Sequence, residues 1–226
     1  MPPIPRPIPR FIADASAEGL PYGRWAQQLR DEFAKACEPH AAEAGGGPGE
    51  VTWFPERAWG GRVYVPATAP VQGAEIASEY FGYVSFTRAQ GGEPSDLRGS
   101  ADFTDVTAAD NPDWQVDLNE EVIGTWRGEG ERRGEVTLVW GTPMVRGARA
   151  ATAELDGDLV DQTPVSDERF TLIALDAVKG FPDDLYLEIA LWGNRNAELA
   201  RDSLYEAPDQ PPAGPKLSGG PDSSAG

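Results

Sequence analysis

Cys37 and His40 are the only thiol and the only imidazole in a chain of 226 residues. They stand three positions apart and are the residue types of a thiolate nucleophile and its proton acceptor. Pro39 lies between them, and Cys37 continues an apolar stripe from Phe33. The pair therefore reads as a small buried hydrophobe beside a helix end. Two such residues supply neither a zinc cage nor a set of haem or copper ligands, so no transition metal and no cofactor is expected.

Hard cations need only oxygen, and Asp156, Asp158, Asp161 and Asp167 invite comparison with a calcium loop. Val160 and Asp161 stand where that loop wants an acidic ligand and its turn glycine. Asp156-Gly157 between Leu155 and Leu159 reads better as a two-residue hairpin turn, and no metal site is expected. The densest acidic stretch holds Asp102, Asp105, Asp110, Asp113, Asp117, Glu120 and Glu121. Two carboxylates across a cleft are the acid and base of a glycosidase. Asp117 and Glu121, however, alternate with Gln115 and Asn119 like an ordinary solvated strand face, so no catalytic residue is assigned.

Aromatic platforms beside carboxylates hold sugar rings and cationic ligands, and the chain has seven tryptophans. Trp25, Trp53, Trp114 and Trp140 fall on faces that periodicity assigns to the core. Trp59, next to Gly60-Gly61, and Trp192, opposite a row of leucines, do not. These two are the expected exposed aromatic contacts for a ligand or partner.

A net charge of −18 repels a phosphate backbone and anionic lipid, so neither nucleic acid nor membrane is an expected partner. The lone cysteine excludes an internal disulfide, and the chain has neither a signal-type apolar segment nor an apolar run of about 18 residues. An acidic, soluble, cytoplasmic protein is expected.

Residues 1–10 contain Pro-Ile-Pro-Arg twice, which favours a stiff polyproline-II arm. Ile4, Arg6, Ile8 and Arg10 along it are candidate contacts with a protein partner or a second copy. Residues 207–226, rich in Pro and Gly, bury too little to repay ordering and read as a disordered tail. Between them, residues 11–206 form one expected β-rich domain.

In that domain Pro21, Trp25, Leu29, Phe33 and Cys37 mark an amphipathic helix over about residues 21–38, stopped by Pro39. From residue 50 to 192 the period becomes two: Val51/Trp53, Val63/Val65, Tyr80/Val84/Phe86, Trp114/Val116/Leu118, Val136/Leu138/Trp140 and Leu185/Leu187/Ile189/Leu191 each mark one face of a strand. Turn signals every 8 to 14 residues are too close for crossover helices, so the sheets should be antiparallel. Phe170–Leu175 and Tyr80–Val84 are apolar on both faces, as in sheets covered on both sides, with the N-terminal helix as one cover. Asn196 is the N-cap of a short C-terminal helix to about Tyr205, although Ala197/Leu199/Arg201 also alternate like a strand.

Gly124-Thr-Trp-Arg-Gly128, continued by Glu129-Gly130, resembles the Gly-x-Trp-x-Gly opening strand of nitrobindin-type and other calycin barrels. The likeness spans seven residues and implies a β-barrel strand with Trp126 facing inward. It does not imply haem, because the C-terminal region lacks a proximal histidine.

These readings converge on a mainly β (α+β) protein, an antiparallel barrel or sandwich with one N-terminal helix packed on it. Its expected role is a non-catalytic binding or assembly module that works through its arm and β-domain. The alternatives are an enzyme using carboxylates, for glycosides or with a hard metal, and a barrel that carries a small apolar ligand among Tyr80, Phe86, Trp126 and Trp140. A sugar ligand is a further option.

Overall fold

The computed structural model describes residues 25–74, 76–89, 93–127, 133–155, 157–175 and 187–204. The fold is mainly β, with antiparallel sheets and, among the described residues, α-helix near the N-terminus. Helix α1 (Ala26–Cys37) continues through a 3-10 turn (Glu38–His40) into α2 (Ala41–Ala44), which ends at Gly45 with φ 85°. Pro39 therefore does not end the helical path: it sits in the first turn of a new element, where its missing N–H costs nothing.

Strands β1 (Thr52–Trp53), β2 (Arg57–Trp59), β3 (Arg62–Pro70), β4 (Glu79–Arg88) and β5 (Pro94–Thr104) form the first sheet in the order β1-β3-β4-β5, with β2 also on β3. In the middle sheet, β6 (Val116–Arg127), β7 (Arg133–Pro143) and β10 (Phe170–Leu175) are ordered β10-β7-β6. The third sheet is β12-β11-β8-β9, from β8 (Ala150–Leu155), β9 (Asp158–Pro164), β11 (Leu187–Trp192) and β12 (Glu198–Ser203). Gly157, with φ 81°, turns β8 into β9 as the hairpin reading expects. Among the described residues the three ladders remain separate, and none closes into a barrel.

Alternation stacks the layers. Leu29, Phe33 and Cys37 of α1 lie on Val65, Tyr80, Val84 and Phe86 of the first sheet. The opposite face of that sheet, with Phe54 and Tyr64 beside it, meets Val136, Leu138, Trp140 and Ile173 of the middle sheet. The middle sheet turns Val139, Phe170, Leu172 and Ala174 toward Ala151, Leu187, Ile189 and Leu191 of the third. Phe170–Leu175 is two-sided because a sheet covers each of its faces; the helix covers only the first sheet. Tyr80 and Phe86 thus belong to a different layer from Trp126 and Trp140, so the four do not line one cavity.

The expected C-terminal helix is a strand. Arg195 and Asn196 adopt φ of 60° and 57°, which reverses the chain, and β12 then pairs with β11 and sends Ala200 into the core. Asn196 supplies the left-handed conformation that its residue type tolerates and does not cap a helix. Trp25 and Trp114, placed on core faces by periodicity, are only half-buried, whereas Trp53 and Trp140 are buried. Residues 21–24, the arm 1–10 and the tail 207–226 lie outside the described residues.

Candidate functional site: an acidic seam between two sheets

On β4, Tyr80 and Val84 point to α1, so Glu79, Phe81 and Tyr83 point to the middle sheet. On β6, Asp117, Asn119 and Glu121 stand opposite Thr142, Trp140 and Leu138 of β7. Because Leu138 and Trp140 pack toward the first sheet, that acidic row does too. The contact between these two sheets therefore changes character across its width. It is dry where Phe54 and Tyr64 meet Trp140 and Ile173, and acidic where β4 and β5 overlie β6.

Within this seam Ser100 Oγ of β5 donates a hydrogen bond of 3.2 Å to Glu121 Oε1. The Tyr64 and Tyr83 rings meet edge to face, with centroids 5.4 Å apart. Burial, with a contribution from the Asp117 charge, pushes the Glu79 carboxyl up to about 7. Burial also raises Asp117, and burial followed by the Glu121 charge raises the Tyr83 phenol. Among the described residues neither Glu79 nor Asp117 takes part in a salt bridge. The expectation that Asp117 and Glu121 form a solvated face is thereby corrected: both are half-buried between layers.

A carboxyl whose folded value lies above its unfolded value binds more protons in the native state. Stability from Glu79 is therefore fully present below the ordinary carboxyl range and is lost as pH rises toward 7. Glu79→Gln should flatten the decline in Tm between about pH 4.5 and 7. A pH–Tm profile unchanged by the substitution would contradict this burial.

Trp59, expected as an exposed contact, is half-buried at the apolar end of the seam with Trp126. Trp126 packs against the cluster between the first and middle sheets. Trp192 is not exposed: 6% of its surface is accessible, and its Nε1 donates to Thr152 Oγ1 at 2.8 Å. Ala190 and Trp192 are buried with Ala150 on the face opposite the leucines, which strand alternation alone does not distinguish from a wet one. Ile4, Arg6, Ile8 and Arg10 lie outside the described residues.

Burial raises the Cys37 thiol to about 12, while His40 Nδ1 turns to Asp102 at 3.7 Å. The thiolate is disfavoured, and the two side chains point to different partners. Asp161 accepts from Arg57 and from the Ile173 amide at 2.8 Å, which ties β9 to β2 and β10. No group of three or more His, Cys, Asp or Glu able to hold a metal occurs among the described residues.

A second charged cluster is internally satisfied. Arg201 donates to Glu154, Glu188 and Glu198 at 2.9, 3.0 and 3.0 Å, and Thr152 donates to Glu154. Burial opposes the guanidinium charge, but the hydrogen bonds to Glu198 and Glu154 outweigh it and raise its pKa.

The residue that sequence reasoning missed is Glu79. Its signal is the Glu79/Phe81/Tyr83 alternation opposite Tyr80/Val84, which places a carboxylate on an apolar face. Comparison of the chain with protein-family models, with curated proteins and with solved structures finds no match.

Proposed function

We propose that this chain is a non-catalytic binding or assembly module, a layered β-sandwich with α1 as its cover, and that the acidic seam receives a cationic segment. The observation that carries the reading is the pair Glu79 and Asp117: burial raises the cost of ionising both half-buried carboxylates, the Asp117 charge adds to that cost at Glu79, and neither has a salt-bridge partner among the described residues. A guanidinium or ammonium inserted there relieves both, while Phe81 and Tyr83 offer rings to its apolar neighbours. The Pro-Ile-Pro-Arg sequence has this chemistry, since it alternates prolines, which restrict φ, with Ile4, Arg6, Ile8 and Arg10. A partner protein bearing such a segment, or the arm of a second copy, fits equally. The lone cysteine suits a reducing, cytoplasmic setting.

Titrating a peptide of residues 2–10 while following tyrosine and tryptophan fluorescence should give saturable binding. Removing the carboxylate charges in Glu79→Gln/Asp117→Asn should weaken it by about tenfold to a hundredfold, the worth of one charge-assisted hydrogen bond. A peptide with both arginines replaced by glutamine should not bind. Absence of binding, or equal binding to the double variant, would remove this reading.

One observation favours a carboxylate enzyme as the second reading: Glu79, held near 7 beside Asp117, has the ionisation of a general acid paired with a base. Hydrolysis of aryl glycosides with a bell-shaped pH profile, abolished by either single substitution, would favour it over the binding module.

A further inference from the structure

We propose that β5 is a self-complementary edge through which two copies of this chain pair antiparallel, with the two-fold axis at Ser100. The inference deepens the assembly reading and rests on it.

β5 closes one side of the first sheet, and no strand pairs with its outer edge among the described residues. Such an edge is a template for another strand unless its side chains oppose pairing. Folding the sequence Leu97-Arg98-Gly99-Ser100-Ala101-Asp102-Phe103 back on a copy of itself about Ser100 sets Arg98 opposite Asp102, Leu97 opposite Phe103 and Gly99 opposite Ala101. Symmetry makes each of these pairs twice. Opposite charges and apolar pairs directly across an antiparallel ladder are the contacts that stabilise it.

The exposures fit. Arg98 and Asp102 side chains are 68% and 59% accessible, and Leu97 and Phe103 are only partly buried against the helix-side core. On that side α1 descends onto β5 at Gly99, where a Cβ would stand 2.8 Å from the Glu32 carbonyl oxygen.

The edges at β6 and β12 lack this property. β6 carries Asp117, Glu120 and Glu121, so a copy laid on it meets like charge. β12 could set Arg201 opposite Asp202, but Arg201 is 13% accessible and held by three glutamates, whereas Arg98 is 68% accessible and its partner at 3.0 Å is the exposed Asp96.

The test is the molar mass of the full chain by light scattering across concentration, with circular dichroism to confirm folding. Wild type should reach the mass of a dimer. Arg98→Asp and Asp102→Arg should each convert two attractions into two repulsions and weaken the dimer by at least about tenfold. The double variant Arg98→Asp/Asp102→Arg exchanges the charges and should restore it. An equimolar mixture of the two folded single variants should also dimerise, because each supplies what the other lacks. A wild-type monomer at all concentrations overturns the pairing, as does a dimer indifferent to both reversals, or one that neither the double variant nor the mixture recovers. The peptide titration reports on the seam separately, so either idea can fail alone.

Discussion

Phe33→Ala is expected to lower the free energy of unfolding by about 3–5 kcal/mol, as truncation of a buried aromatic does. Phe33 has no accessible surface and meets Trp53 edge to face, with centroids 6.0 Å apart. It lies between Leu29 and Cys37 at helical spacing, so one ring joins α1 to the first sheet from β1 to β4. The cavity left by alanine has few ways to collapse, because its walls are a helix and a hydrogen-bonded ladder. Urea denaturation measures the loss directly. A change below about 1 kcal/mol would mean that the helix does not pack on this sheet.

Arg201→Ala should cost a similar amount, about 3–5 kcal/mol, for a different reason: removal of one partner from a buried ion pair leaves charge without compensation. Glu154 is 1% accessible, and the same guanidinium also holds Glu188 and Glu198. Adding Glu154→Gln to the Arg201→Ala variant should recover part of the loss, because the amide needs no counter-charge. Arg88→Ala serves as the contrast. Its bond to Glu56 joins side chains 46% and 37% accessible, and an exposed pair of this kind is worth about 0–1 kcal/mol. Equal losses in Arg201→Ala and Arg88→Ala would contradict the buried cluster.

The two substitutions probe features that differ in how far they can be read from the chain. The Phe33 stripe is local: residues 29, 33 and 37 recur with the helix repeat, and any helix with that stripe must bury it. The Arg201 cluster is not local, since it joins residues 154, 188, 198 and 201 from three strands. Only the β8-β11-β12 register brings those strands together. Seen along the chain, Glu188 and Arg201 are charges on alternating faces, indistinguishable from a wet surface.

The same division runs through the whole protein. Period-two alternation, a 3.6-residue stripe and glycine turns are properties of neighbouring residues, so the helix, the antiparallel strands and the β8–β9 hairpin at Gly157 could be read directly. Asn196 was ambiguous because the same residue type caps helices and tolerates positive φ, and pairing with β11 decided the outcome. Alternation also states which residues share a face but not what lies over it. Trp192 reads as free and Asp117 as solvated along the chain; pairing with β8 sets Trp192 against Ala150 and Thr152, and the packing of the first sheet on the middle one half-buries Asp117. Burial depends on contacts between residues far apart in sequence, and so does the electrostatic environment that burial creates. The elements of this protein are therefore written in its local sequence, whereas the satisfied Arg201 cluster exists only once β8, β11 and β12 pair in register, and the acidic seam only once the layers pack.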